Sequence, residues 1–206
     1  MQRFKHAAKR GPALLIWMLA ALLLAGCENE TGSTPLGGGG DDAHDHEEHG
    51  DHPGRLAILS RDGTGDQLYA YDLEEQALLP GSLALNNAPS ALYTSPGKRF
   101  VLAMQRNANQ VQIIDGGLYR HDDHVDEVAP GLVGTLTGPR PTHYRVHGEQ
   151  AALFYDGDAG SALMAQVQVL TDHSLESATM EADHTFASAH HGVAEPRGEI
   201  VLATRR

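Results

Sequence analysis

The sequence predicts an all-β fold built from repeated sheets. Three observations carry that expectation. Short apolar or alternating runs recur from Arg55 onward, broken by Asp62-Gly63, Pro80-Gly81, Pro96-Gly97, Gly116-Gly117 and Asp156-Gly157. No long stretch combines a helical period with helix caps. A motif also repeats: Pro89-Ser90-Ala91-Leu92-Tyr93 with Phe100-Val101-Leu102-Ala103 returns as Pro141-Thr142-His143-Tyr144-Arg145 with Ala151-Ala152-Leu153-Phe154. It returns again as His190-His191-Gly192-Val193-Ala194 with Val201-Leu202-Ala203.

The turn glycines of the three copies, Gly97, Gly148 and Gly198, are 51 and 50 residues apart. A strand-rich repeat of about 40–50 residues is the signature of β-propeller blades. The strands are expected at Arg55–Ser60, Gln67–Asp72, Leu92–Tyr93, Phe100–Gln105, Gln110–Asp115, Leu132–Leu136, Ala151–Tyr155, Met164–Leu170 and Ile200–Thr204. The first two read as the later strands of a partial first copy. Residues 54–206 hold about three blades at this period, whereas closed propellers use about four to eight. The expectation is an incomplete, open propeller that is part of a longer one, its last copy ending a strand or so in.

Residues 1–26 read as a lipoprotein signal peptide. Arg3, Lys5, Lys9 and Arg10 precede an apolar run over residues 13–25, shorter than the about 20 residues of a membrane span. The run ends at Leu24-Ala25-Gly26-Cys27, so Cys27 is expected to carry a lipid and tether the chain to a membrane. It is the sole cysteine, and lipidation leaves neither a disulfide nor a thiolate metal site. Four of the 15 basic residues and none of the 27 acids lie before Cys27, so cleavage takes the formal charge from −12 by four to −16. That charge excludes nucleic acid, whose phosphates need a basic surface, and suits cations.

Residues 27–53 form the expected disordered tether. Gly37-Gly38-Gly39-Gly40 is flexible, and Ala43 to His52 reads AHDHEEHGDH, with four histidines and four acids. His44, His46, His49 and His52 offer imidazoles to a borderline divalent cation without a fixed geometry. Within the sheets, His143, His190 and His191 fall at the starts of the innermost strands of successive copies. In a propeller those positions surround a central channel, so the imidazoles are candidate ligands of one ion. A second candidate is the loop Arg120–Asp126, where His121 and His124 could share a cation with Asp126 or Asp123. His147, His173 and His184 read as surface residues. No nucleophile-and-base pattern, phosphate-cradling loop or zincin helix motif is present.

Five motifs occur in order: Ile113-Ile114-Asp115-Gly116-Gly117-Leu118, the His/Asp loop, Gly138-Pro139-Arg140-Pro141-Thr142-His143, Phe154-Tyr155-Asp156-Gly157-Asp158 and Ala189-His190-His191-Gly192-Val193. With the His-rich tract, they resemble the periplasmic zinc metallochaperones of Azt-type ABC transport systems. The resemblance implies an extracytoplasmic β-propeller that binds Zn²⁺ and passes it to the transporter's solute-binding protein. The chain departs from the family in three ways. The family's propeller is roughly twice this long, as a ring of more blades requires. Asp122 and Asp126 stand where the family's loop tends to have Gly and His. A lipid anchor replaces free diffusion.

The expected function is thus a lipid-anchored zinc metallochaperone on the periplasmic face of a bacterial membrane, inner or outer, and not an enzyme. Cu²⁺ and Ni²⁺ also accept imidazole. The alternatives are a metal-dependent propeller hydrolase or lactonase, with Asp156 or Asp158 as base, and a scaffold propeller without catalysis.

Overall fold

The computed structural model describes residues 2–5, 54–62, 65–121 and 124–204. The described residues belong to one compact unit, Met1–Ala8 with His49–Arg206, and residues 9–48 lie wholly outside the described residues. Cys27 and the tract histidines His44, His46, His49 and His52 also lie outside them.

Strand β1 is Gln2–Lys5. Strands β2 (Arg55–Asp62) and β3 (Gly65–Asp72) form a hairpin, and short β4 (Ala77–Leu78) and β5 (Leu83–Ala84) both pair with β3. Next come β6 (Ala91–Thr94), β7 (Phe100–Gln105) and β8 (Gln110–Asp115). A separate hairpin, β9 (Leu118–His121) and β10 (His124–Glu127), precedes β11 (Gly131–Thr137), which completes a sheet in the order β6-β7-β8-β11. A third antiparallel sheet follows simple chain order: β12 (Pro141–His147), β13 (Gln150–Tyr155), β14 (Gln166–Leu170) and β15 (Ala182–Thr185). One helical turn, α1 (Asp172–Leu175), joins β14 to β15. The last sheet pairs β16 (Ala194–Arg197) with β17 (Ile200–Ala203), and β1 runs along the other edge of β17.

This is the expected all-β architecture of successive blades. Two complete four-stranded sheets are flanked by two partial ones, and none closes on another among the described residues. The first sheet has no described counterpart of β6, as a partial first copy requires. The fourth sheet holds two strands of the last copy where about one was expected. β16 reads Ala-Glu-Pro-Arg, and a proline is tolerated there because β16 is an edge strand.

Period-two alternation distributes the core between neighbouring sheets. Phe100, Leu102 and Met104 of β7 pack with Ala151, Leu153 and Tyr155 of β13. The intervening Val101 and Ala103 turn the other way, onto Leu68 and Ile114. On β13, Ala152 and Phe154 join Ala194, Val201 and Ala203 of the fourth sheet. Both faces of these central strands are therefore buried, and their sequences read as unbroken apolar runs.

Polar groups buried between sheets are satisfied at equivalent positions. Gln112 lies opposite Ala103, and Gln168 opposite Leu153. The Gln112 side-chain carbonyl accepts from Gln105 Nε2 at 3.0 Å, and that of Gln168 from the Tyr155 hydroxyl at 2.6 Å.

A repeated arginine clasp ties the first sheet to the second and the second to the third. Arg55 Nε donates to Asp72 at 3.1 Å and its Nη1 reaches the Gly116, Gly117 and Val128 carbonyls at the base of β9–β10. Arg99 repeats the pattern, donating to Asp115 at 2.8 and 3.1 Å and to Glu176 beyond α1 at 2.9 Å. Its guanidinium also lies 4.0 Å from the Tyr119 ring centroid. Arg99→Ala is expected to cost about 1–3 kcal/mol, the scale of charge-assisted hydrogen bonds, read as a lower melting temperature.

The clasp also predicts a pH dependence. Burial by itself would raise the Asp115 carboxyl, but bonds from Arg99, the Gly117 N–H and Tyr119, with the Arg99 charge, hold it below its ordinary value. A carboxyl depressed on folding contributes stability that is complete above its unfolded value, near 3.8, and lost as pH falls through the lower folded value. Asp115→Asn should therefore flatten the loss of stability below about pH 4. An unchanged acid slope in melting experiments would refute that role.

Candidate metal site

The site forms where the third and fourth sheets meet. The pairing of β12 with β13 shifts between Pro141 and His143, and such a bulge re-aims the side chains beside it. Asp156 immediately follows β13. Its N–H donates to the Arg140 carbonyl at 3.1 Å, and its carbonyl accepts from the His190 N–H at 2.9 Å. The backbone of Asp156 thus ties the start of β12 to the His190-His191 segment.

Two glycines make this closeness possible. Gly157 has φ of +74°, and a Cβ there would stand 2.5 Å from the Leu163 carbonyl oxygen. A Cβ at Gly192 would stand 2.2 Å from the Thr204 carbonyl oxygen and 2.7 Å from the Phe154 ring.

His143 converges from β12 and His191 from the segment that leads into β16. Their Nε2 atoms are 3.3 Å apart and their ring centroids 5.0 Å, at 62°. His191 Nδ1 lies 3.1 and 3.2 Å from the two Asp156 carboxylate oxygens. An ionised carboxylate only accepts, so Nδ1 carries the hydrogen, and in that tautomer the Nε2 lone pair is the one available to a metal, toward His143. Two nitrogens bound to one Zn²⁺ at about 2.0–2.1 Å with a tetrahedral angle lie about 3.3–3.4 Å apart. The observed separation meets that requirement.

Asp156 is itself held. Arg106 Nη2 donates to its Oδ2 at 2.8 Å. Arg106 Nη1 donates to the Arg140 carbonyl at 3.1 Å and to the Thr142 hydroxyl. Burial alone would raise the Asp156 carboxyl, but bonds from Arg106, His191 and Thr142 and the Arg106 charge keep it below its ordinary value. The His143 imidazole is pushed down from its usual value by partial burial first and then by His191, against the opposing pull of Asp156. It is therefore neutral, as a ligand must be, at neutral pH.

The other candidates lie elsewhere. His190 Nδ1 donates to the Ser188 carbonyl at 3.0 Å, and its ring stands edge-on to Phe186 at 4.7 Å and Phe154 at 5.7 Å. Its Nε2 is buried without a hydrogen-bond partner. His190 thus points away from the pair that His143 and His191 form.

His121 and His124 face each other in the register of β9–β10. The His121 side chain lies outside the described residues, and His124 Nε2 is 3.8 Å from Asp126 in an exposed position. That hairpin leaves β8 at Asp115, which pairs with Phe100, five residues before Gln105 on β7. Arg106, next to Gln105, bonds to Asp156, so the hairpin base is about 17 Å of strand away from this end. The two histidine groups are separate.

His173 is 91% exposed, and His147 sits at the surface 3.4 Å from Arg197. His184 is half-buried, packed edge-on to Phe186 at 4.8 Å. Among the described residues no group of three or more His, Cys, Asp or Glu side chains is arranged to hold a metal ion. The site therefore consists of two imidazoles backed by one carboxylate.

Sequence reasoning missed Arg106 and Thr142 and assigned Asp156 a different role. One signal was available. Arg106 and Asp156 each follow the second strand of their copy, so opposite charges occupy equivalent positions in successive sheets.

No protein-family model matches the chain. Among solved structures, it is similar to apo AztD from Citrobacter koseri, with a TM-score of 0.58 and 23% identity over 73% of this chain and 39% of that one. A crystal structure of Citrobacter koseri AztD gives a TM-score of 0.60 and 25% identity over the same shares. The chain thus spans 39% of the length of the AztD chains it matches. The resemblance drawn from the sequence motifs is matched by the fold.

Proposed function

We propose that this chain is a lipid-anchored, zinc-binding metallochaperone-like protein on the periplasmic face of a bacterial membrane. It captures Zn²⁺ and hands it to the solute-binding protein of a zinc ABC transporter. The observation that carries this reading is the 3.3 Å convergence of His143 and His191 Nε2, with Asp156 behind His191. Carboxylate-backed imidazole is the usual outer-sphere arrangement of zinc sites. The likeness to AztD supports the same reading.

Two imidazoles fill only half of a tetrahedral coordination sphere. The open half suits ligand exchange, in which histidines of the 43–52 tract deliver the ion and a partner's ligands take it away. The rival hydrolase reading needs a general base beside the open position. Asp156 is engaged by Arg106 and His191, and Asp158 by Gly160 and Ser161. Both carboxyls are held below their ordinary value by these bonds, which weakens them as bases.

The deciding experiment is metal analysis of the purified chain, chelator competition and transfer to the solute-binding protein. Zinc that binds and transfers, without turnover of esters or lactones, is the expected result. Turnover would select the hydrolase, and preferential loading with Cu²⁺ or Ni²⁺ would overturn the cargo assignment. The anchor has its own test. Cys27→Ser is expected to abolish palmitate labelling and membrane retention, and equal labelling of the variant would refute lipidation.

A further inference from the structure

Arg106 stands at the end of β7, in a different sheet from either imidazole. One arm of its guanidinium, Nη1, holds the Arg140 carbonyl and the Thr142 hydroxyl, the backbone and side chain leading into His143. The other arm, Nη2, holds Asp156 Oδ2 at 2.8 Å, and Asp156 in turn holds His191 Nδ1. A single rigid fork therefore contacts the supports of both imidazoles. The fork geometry is specific to arginine, because a lysine ammonium is a point charge on a flexible stem.

We infer that Arg106 is the positioning residue of the site, holding His143 and His191 in register for one ion through its two arms. It acts at a distance from the cargo, by fixing the bulged segment that carries His143 and the carboxylate that orients His191. The contacts run from the end of the second sheet to the third and on to the segment that leads into β16, so the metal geometry depends on how the second sheet docks against the third. This inference rests on the reading that His143 and His191 share an ion.

The test compares Arg106→Ala and Arg106→Lys with the parent full chain. Zinc affinity is measured by chelator competition, folding by thermal melting, and the His191 tautomer by nitrogen-15 imidazole shifts in metal-free protein. Both variants are expected to keep a cooperative melt and to lose about 10–100-fold in zinc affinity, the usual cost of an outer-sphere partner. In both, the His191 signal should move from the Nδ1–H form toward a mixture of tautomers.

Rescue of affinity and tautomer by lysine would show that charge alone suffices and would overturn the two-armed role. Unchanged or tighter binding in Arg106→Ala would overturn it too. If alanine does not fold, lysine alone decides, through the same two readouts. A parent protein that binds no zinc would defeat the shared-ion reading, while the metal-free tautomer would still decide whether Arg106 orients His191.

Discussion

Alanine at His143 or at His191 is expected to weaken zinc binding by at least on the order of 100-fold, the upper end of what even an outer-sphere loss costs. Alanine at both should weaken it little further. The two Nε2 atoms stand 3.3 Å apart, so one ion engages both or neither tightly. Ligands of one ion are coupled, and their losses do not add. His173→Ala is the control, since that side chain is 91% exposed and remote from the pair. His190→Ala should leave the coupling intact, because its ring packs on Phe154 and Phe186. Calorimetric titration of the four single variants and the double variant reads these outcomes. Additive losses at His143 and His191 would mean two independent sites and would break the shared-ion reading.

The largest effect on stability is expected at Phe154. Its side chain is fully buried between the third and fourth sheets, with Val201, Ala203 and Ala194, and it touches the His190 and Phe186 rings. Phe154→Ala leaves a cavity there and should cost about 3–5 kcal/mol. For a chain of this size that is a drop of roughly 6–20 °C in melting temperature. Zinc binding should weaken in parallel, because Gly192, next to His191, rests against the same ring. A melting temperature within a degree or two of the parent would show that the fourth sheet is not packed as described.

The repeat made much of this fold legible. The turn glycines set the period, and the apolar runs around Phe100–Gln105 and Ala151–Tyr155 marked strands, whose burial on both faces emerged only from the packing of the sheets. The repeat also placed His143 and His191 at equivalent strand starts, which is why two residues 48 apart could be paired. It could not separate His190 from His191. Both stand at the start of the same copy, and only the packing of His190 on Phe154 and Phe186 tells which ring meets His143.

Charged segments were read least well. β9–β10 looked like a loop because His121, His124 and the acids around them carry no apolar alternation. Its base is secured by Arg55 from another sheet. α1 is a single turn, set by a reciprocal cap between Thr171 and Ser174, too short to leave a period. The Arg106–Asp156 contact joins sheets 50 residues apart in sequence, a distance at which no local pattern operates.

The double-sided burial of β7 and β13 has a kinetic consequence. A sheet that shares its core with both neighbours opens only after one of them has left, as in other arrays stabilised by nearest-neighbour contacts. Hydrogen exchange should therefore be slowest in β7, β8, β13 and β14 and faster in the flanking sheets. His143 lies on β12, paired directly to the slow β13, and His191 adjoins the faster fourth sheet. On the proposed reading, the ion is gripped between a stationary jaw and a moving one. Its residence time is then set by how often the segment carrying His191 moves off His143, while the recipient's affinity sets how far the transfer goes.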